Sequence, residues 1–372
     1  LKSSVFFTDL RARKKSQLDK VNQLFKAAGF ADLIKPNELV ALKVHFGERG
    51  STAFIPPLFI RRLTKLVRSC QGKPFLTDTN TLYLGGRFNA VDHIETAYQH
   101  GFDWSNIGAP VIIADGLSGQ DYLKVPIDGK HFKEVKIATA VICSDTLIVA
   151  SHFKGHGMTG FGGSLKSLGM GFSSRSGKQE MHSEVLPTID LDKCSGCGRC
   201  LKWCPADAIK LVKVNGGEKA QISDELCYGC GECRAACLEG AVSIDWASEP
   251  EKVQEKMAEY AYGVMKQKKG KIGFFNFLIN ITPDCDCWTY SDSAIVPDIG
   301  ILASKDPVAI DQASLDLINQ APTLPNSAIS GKTGRDKFKI IHGISGEIQL
   351  SHAEKLGIGS RDYELVEIGG DK

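Results

Sequence analysis

The sequence predicts an α/β fold: a largely parallel sheet flanked by helices, interrupted by an inserted module of α+β character. Three observations predict it. Short apolar runs alternate with segments of helical period along the first part of the chain, the pattern of strand–helix–strand units. The alternation resumes toward the C-terminus. Between the two, residues 188–246 carry eight of the twelve cysteines in two matching runs. The expected organisation is an α/β domain in two pieces, 1–187 and 247–372, around a module at 188–246.

Residues 16–30 place Leu18, Val21, Leu24, Phe25 and Ala28 at helical spacing, closed by Gly29. Glu38 to Phe46 reads as a buried strand that ends in the turn Gly47-Glu48-Arg49-Gly50. Pro56 to Cys70 is a helix with prolines in its first turn. Pro74 to Thr77 is a short strand running into Asp78, Ala90 to His100 a helix, and Pro110 to Ala114 a strand ending at Asp115. Val135 to Asp145 is mixed, and Thr146 to Ser151 is an apolar strand running into His152. Ligands of such sheets sit beyond the carboxyl ends of the strands, so His45, Asp78, Asp115 and His152 are expected to line one crevice.

Residues 152–182 are glycine-rich and lack apolar periodicity. They read as a long irregular stretch, of the kind that is functional when it keeps apolar anchors such as Phe153, Phe161, Leu165 and Phe172. Beyond the insert, Glu251 to Lys268 is a helix and Lys271 to Ile281 a long strand. Asp306 to Gln320 is a helix with a capping residue and Pro307 at its first position. The tail holds a short helix and a last strand from Tyr363 to Ile368.

Each cysteine run is C-x2-C-x2-C-x3-C, and the second repeats the first at an offset of 33 residues. This spacing is that of two-cluster bacterial ferredoxins, in which the fourth cysteine of each run ligates the other cluster. Cys194, Cys197, Cys200 and Cys237 are thus expected to hold one 4Fe-4S cluster, and Cys227, Cys230, Cys233 and Cys204 the other. Gly196, Gly198, Gly229 and Gly231 fill spacer positions, where the backbone must curl closely around a cluster. Leu238 stands where the first run has Pro205, which changes no ligand. Zinc pairs would leave the regular third cysteine unused. A disulfide framework is unneeded in a chain of this size. Cys70 and Cys143 read as small buried apolar residues.

The 372 residues allow one to three domains, and the net charge is only +2. No basic stripe points to nucleic acid, and no apolar run approaches a membrane span. No cleavable leader is read at the N-terminus, so a cytoplasmic protein of a reducing, anaerobic cell is expected.

A second constellation lies outside the insert: His152, His156, Lys166, His182, Cys285 and Cys287, with His45, Asp78, Asp284 and Asp286. Imidazole and thiolate suit nickel, zinc and iron. Cys285-x-Cys287 puts two thiols on one side of an extended segment, able to chelate one ion or to act as a redox pair. His152 and His156 also have a plainer reading as loop residues that satisfy backbone groups. Gly155 to Gly160 fits G-x-G-x-x-G after a strand but opens no helix, and Gly171 to Lys178 has one residue too many for a P-loop. Neither is taken as a nucleotide site, although these backbone amides can hold a phosphate of another cofactor, flavin included.

The segments K-V-H-F-G-E at 43–48, T-D-T-N-T-L-Y at 77–83, S-H-F-K-G-H at 151–156, F-G-G-S-L-K-S-L-G-M-G at 161–171, C-D-C at 285–287 and D-P-V-A-I-D at 306–311 resemble the domain of unknown function 362 family. The similarity is to members with an inserted two-cluster ferredoxin module. It covers nearly the whole chain and implies iron–sulfur binding on an α/β body, without a reaction. A shorter stretch, His156-x3-Gly160-Phe161-x-Gly163-x2-Lys166 with His182 sixteen residues on, resembles the core of the nickel-pincer lactate racemases. That resemblance implies Lys166 as a covalent cofactor attachment site, His182 as a nickel ligand and His156 as an acid/base. Leu165 departs from it, standing where arginine is expected.

Two 4Fe-4S clusters passing electrons to a second metal or organic centre built from His152, His156, Lys166, His182, Cys285 and Cys287 make a redox enzyme the favoured expectation. It would act on a small molecule, with a redox partner protein. The rival expectations are an electron-transfer adaptor that docks a partner oxidoreductase, and a maturation factor that hands over metal or sulfur from Cys285 and Cys287.

Overall fold

A computed structural model describes residues 2–12, 14–182, 186–214, 216–227, 229, 231–243 and 249–369. An eight-stranded sheet forms the centre. Its strands are β1 (Ser3–Asp9), β2 (Leu39–Lys43), β3 (Lys73–Asp78), β4 (Val111–Ile113), β5 (Thr146–His152), β6 (Ile272–Leu278), β7 (Gly300–Ser304) and β8 (Tyr363–Glu367). Their order is β8-β1-β7-β6-β5-β2-β3-β4. β4, β3, β2, β5 and β6 run parallel to one another, and β8 runs parallel to β1. β7 is antiparallel to both of its neighbours. The fold is α/β with a mostly parallel sheet flanked by helices.

The sheet is parallel where crossover helices cover both faces, and its strands read as apolar runs for that reason. Successive residues of β5 and β6 enter opposite layers. Leu147, Val149, Ile272 and Phe274 join the core on one face. Ile148, Ala150, Phe275 and Phe277 join the core on the other. No described helix is long and apolar enough to cross a membrane.

Residues 152–182 correct the expectation of an irregular stretch. They form a tight hairpin, Lys154–His156 with Gly160–Gly162, then helices Ser164–Gly169 and Arg175–His182. These short elements hold through tertiary contact rather than propensity. Phe161, Leu165 and Leu168 are buried, and Asp311 of the helix Pro307–Gln320 binds the first amides of Ser164–Gly169. β1 and β7 are further elements that the sequence reading passed over. Cys143 is exposed and Cys70 half-buried, so neither is the core residue expected.

The cysteine-rich segment forms small sheets of its own. Thr188–Ile189 pairs with Val242–Ser243, and Ile209–Val214 with Gly217–Ile222. They enclose a separate cluster of Cys194, Cys200, Cys233, Ile209, Ala220, Ala241 and Val242. The helix Glu232–Ala236 seats against the rest of the chain. Tyr122 donates its hydroxyl to Glu232 at 2.6 Å, Arg175 donates to the Ala235 carbonyl at 2.7 Å, and Arg234 donates to the Leu82 carbonyl at 3.3 Å.

Candidate functional site

The carboxyl ends of β2, β3, β5 and β6 bring His45, Asp78, His152 and the loop after β6 to one edge of the sheet. Asp286 is the hub. It is buried, and its carboxylate accepts from His152 Nδ1 at 2.9 and 3.0 Å and pairs with Lys154 at 3.4 Å. Burial pushes its pKa up, but His152 and Lys154 outweigh that and hold it down at about 2. His45 Nδ1 lies 3.9 Å from the same carboxylate, and the Glu48 amide donates to the Asp286 carbonyl at 2.9 Å. Asp286 turns inward, and the Trp288 amide donates to the Cys285 carbonyl at 3.1 Å, so Cys285–Trp288 is a turn rather than the extended segment expected; the turn still brings the two sulfurs together.

His156, Cys285 and Cys287 offer donor atoms that all lie within 4.8 Å of one another. Lys166 Nζ stands 3.4 Å from Cys285 Sγ. A hydrogen bond from Cys287 holds the Cys285 thiol well below its usual range, against burial and with help from Lys166 and Lys154. The same bond, with burial, pushes Cys287 up, so the pair keeps one proton and one thiolate. Burial opposes the charge on Lys166, yet the two sulfurs and Asp286 hold its pKa above the ordinary value. Burial and then Lys166 lower both histidines, His156 well below 6.5 and His182 to about 4, which makes them neutral near pH 7.

The Nδ1 atom of His156 accepts from the Met158 and Thr159 amides, each at 3.2 Å. The neutral ring therefore carries its proton on Nε2, and there it offers an N–H rather than a lone pair. Metal-bound histidines usually donate through the second nitrogen, the reverse of this arrangement. His156 thus fits a proton carrier beside a thiolate better than a metal ligand.

The expected residues from 152–182 and 285–287 do meet, but not all in the same role. His152 is not part of the ligand set. Its Nδ1 faces Asp286 at 2.9 Å and its Nε2 faces the Ile279 carbonyl at 2.8 Å, so both nitrogens are already engaged within the protein. Asp284 stands apart, 4.0 Å from His342. Asp115 belongs to a neighbouring pocket of charge, where it accepts from the Asn80 amide and side chain at 2.9 Å. Burial raises Asp115 to about 7.

The sequence reading missed a set of buried cations around this edge. Lys43 pairs with Asp78 at 3.0 Å, and Arg87 pairs with Glu48 at 3.4 Å and Asp78 at 3.7 Å while donating to the Tyr83 hydroxyl. Lys178 donates to Thr79 Oγ1 at 2.6 Å and to the Ser173 carbonyl at 2.8 Å. A signal existed for Lys43: a charged residue inside an apolar parallel strand is rarely buried unless paired.

In the insert, one cavity is lined by Cys194, Cys197, Cys200 and Cys237 together. A second is lined by Cys204, Cys227 and Cys233. Cys230 lies outside the described residues. Ala220 and Ala241 amides donate to the sulfurs of Cys194 and Cys237 at 3.4 and 3.3 Å, and Ala208 donates to Cys204 at 3.2 Å. The bonds to Cys204 and Cys237 are related by the 33-residue offset. Burial, then Cys237 and Cys194, raise the Cys200 thiol to about 11, which reflects how closely these sulfurs converge. Converging soft thiolates with N–H donors on sulfur fit an iron–sulfur cluster in each cavity.

A 40-residue segment, 11% of the chain, is 42% identical to an iron-sulfur subunit of the CoB–CoM heterodisulfide reductase of Methanopyrus kandleri and spans 6% of that protein. Among solved structures, the lactate racemase apoprotein of Thermoanaerobacterium thermosaccharolyticum is similar over 74% of this chain, with 12% identity and a TM-score of 0.38. A Thermotoga maritima protein is similar over 72%, with 10% identity and a TM-score of 0.38. The chain spans about half the length of these two structures, 50% and 52%. Residues 40–316 match the family described as a domain of unknown function (DUF362), and the chain belongs to that family.

Proposed function

We propose that this chain is an iron–sulfur redox enzyme, in which residues 188–246 form a two-cluster module and the rest of the chain a body with a second reactive centre. Cys194, Cys197, Cys200 and Cys237 would hold one 4Fe-4S cluster, and Cys204, Cys227, Cys230 and Cys233 the other. Such clusters, when bound, store and transfer single electrons. The observation that carries the enzyme reading is the convergence of His156, Cys285 and Cys287 within 4.8 Å, with Lys166 on Cys285. Nothing in folding demands a thiolate, a buried amine and neutral imidazoles at one sheet edge.

In this reading Cys285 and Cys287 are the soft ligands for a further nickel, zinc or iron ion, and His182 would be a further ligand. Lys166 holds the charge of the Cys285 thiolate, and its amine is the attachment point where the centre is an organic cofactor. His156 carries a proton on Nε2 and exchanges it with a small-molecule substrate, since imidazole serves as acid or base near neutral pH. Asp286, through His152, Lys154 and the Glu48 amide, fixes the loop that presents the two sulfurs. A redox partner protein would supply or accept electrons.

Anaerobic metal analysis, a visible spectrum and intact mass of the purified chain test the reading. A further metal or a lysine adduct, lost in Cys285→Ser/Cys287→Ser or Lys166→Ala, is the expected result. Iron alone, unchanged in every variant, would favour the electron-transfer adaptor instead.

A further inference from the structure

The two halves of the insert match at an offset of 33 residues, yet their surroundings differ. The second-half helix, Glu232–Ala236, is sealed by the body. Glu232, Ala235 and Ala236 are buried. A Cβ on Gly231 would overlap the Gln179 side chain, and one on Gly240 would press on Leu84. The matching first-half helix, Arg199–Lys202, has no such cover. A Cβ on Gly198 would meet only Leu211 of the insert, at 3.8 Å.

The residues follow the environment. Position for position, Arg199 stands for Glu232, Lys202 for Ala235 and Trp203 for Ala236. All three first-half residues are exposed, Trp203 by 44%. Among the described residues neither Arg199 nor Lys202 has an ion-pair partner. Cys204 follows Trp203 directly, and Lys202, Trp203, Cys204 and Pro205 line one groove with Glu232 and with Tyr122, Lys124 and Lys136 of the body. A large exposed indole next to two cations without an ion-pair partner among the described residues is the composition of an interface centre, not of a solvated helix face.

We propose that this open end is an electron-exchange face for an acidic electron-carrier protein, with Trp203 at its centre and Arg199 and Lys202 meeting the carrier's carboxylates. The proposal rests on the iron–sulfur reading. One electron leaves the reduced carrier and enters the insert beside Cys204; no bond is made or broken and no proton is required.

The test is stopped-flow reduction of the full chain under nitrogen by an acidic 2Fe-2S ferredoxin, compared with a small zwitterionic viologen. Arg199→Glu/Lys202→Glu is expected to slow reduction by the ferredoxin about tenfold or more at low ionic strength, the scale of electrostatic steering. The difference is expected to fade toward about 0.5 M salt, where surface charges are screened. Trp203→Ala is expected to slow the same step at all salt concentrations. Reduction by the viologen, and reduction of a Lys332→Glu control by the ferredoxin, are expected to stay as in wild type. Arg199→Gln/Lys202→Gln, matched for iron content, guards against misfolding. A chain without iron would refute the iron–sulfur reading itself. Full iron content with an unchanged ferredoxin rate, or equal slowing with the viologen, would overturn the docking face alone.

Discussion

Asp306 and Asp311 open and close the segment D-P-V-A-I-D, and the structure gives them unequal work. Asp306 caps the helix Pro307–Gln320, accepting from the Val308 and Ala309 amides at 2.8 and 2.9 Å near the surface. Asp311 is fully buried. It reaches across to the helix that carries Lys166, accepting from the Ser164 amide at 2.7 Å and the Leu165 amide at 2.9 Å. Asn276 adds a third donor at 2.7 Å. Asp311→Ala strands two buried backbone amides, while Asn276 keeps Ser314 at 3.0 Å. At roughly 1–3 kcal/mol for each orphaned group, the loss is about 4 kcal/mol. Asp311→Asn keeps the shape but turns an NH2 toward one amide, for about half that cost. Asp306→Ala removes a half-buried cap that also accepts from the Ser3 hydroxyl at 2.7 Å and the Ser360 amide at 2.9 Å, for about 1–2 kcal/mol. Urea unfolding followed by far-UV circular dichroism measures all three, and the expected order is Asp311→Ala, then Asp311→Asn, then Asp306→Ala. A loss below about 1 kcal/mol for Asp311→Ala would refute the claim that this carboxylate anchors the Lys166 helix.

Three further outcomes follow from the geometry. His93 is buried with neither ring nitrogen hydrogen-bonded, and burial lowers its pKa to about 3. The unfolded chain takes up that proton below about pH 6.5 and the folded chain does not, so stability present above 6.5 is lost as pH falls toward 3, by up to about 5 kcal/mol; His93→Leu is expected to flatten acid unfolding over that window, and an unchanged acid midpoint would count against it. Gly231→Ala, at φ 74° against Gln179, is expected to lower the melting temperature and expose the insert to protease more than Gly198→Ala at φ 69°, since only the first meets the body; equal effects would mean that the insert is not docked there. Arg175 is buried, lies 3.8 Å over the Phe88 ring and binds the Ala235 carbonyl between Cys233 and Cys237, so Arg175→Met is expected to move a cluster midpoint downward by removing a nearby positive charge; a potentiometric titration with unmoved midpoints would refute this.

The parallel core was legible because its strands are apolar runs bounded by turns, and β2 through β6 fall where those runs end. β7, Gly300–Ser304, was passed over: it is short, and its antiparallel pairing with β1 and β6 is a tertiary fact. The glycine stretch 152–182 misled for a related reason. Its hairpin and two helices are stabilised from outside, by Asp311 and by the surrounding core, and leave no local periodicity. The residues of the candidate site were chosen by type, so the spacing of Cys285 and Cys287 and the presence of Lys166 and His156 could be noticed. Which histidine faces the thiols could not. His152 sits at a strand end as a ligand would, yet both its nitrogens are taken by Asp286 and a carbonyl. Lys43 carried a signal in its place inside an apolar strand, whereas Arg87 and Lys178 were invisible because a lone cation in a sequence is read as surface until its buried partners are known.

The central claim is that a two-cluster module and a separate thiolate centre share one chain. The measurement that tests it most directly is metal analysis with low-temperature electron paramagnetic resonance on anaerobically purified protein, comparing wild type with Cys285→Ser/Cys287→Ser. The expected result is about eight irons per chain in both, as two 4Fe-4S clusters require, with reduced-cluster signals retained and a further metal or covalent adduct present only in wild type. Loss of iron in the variant, or equal metal content with no mass difference beyond the two substitutions themselves, would contradict the account.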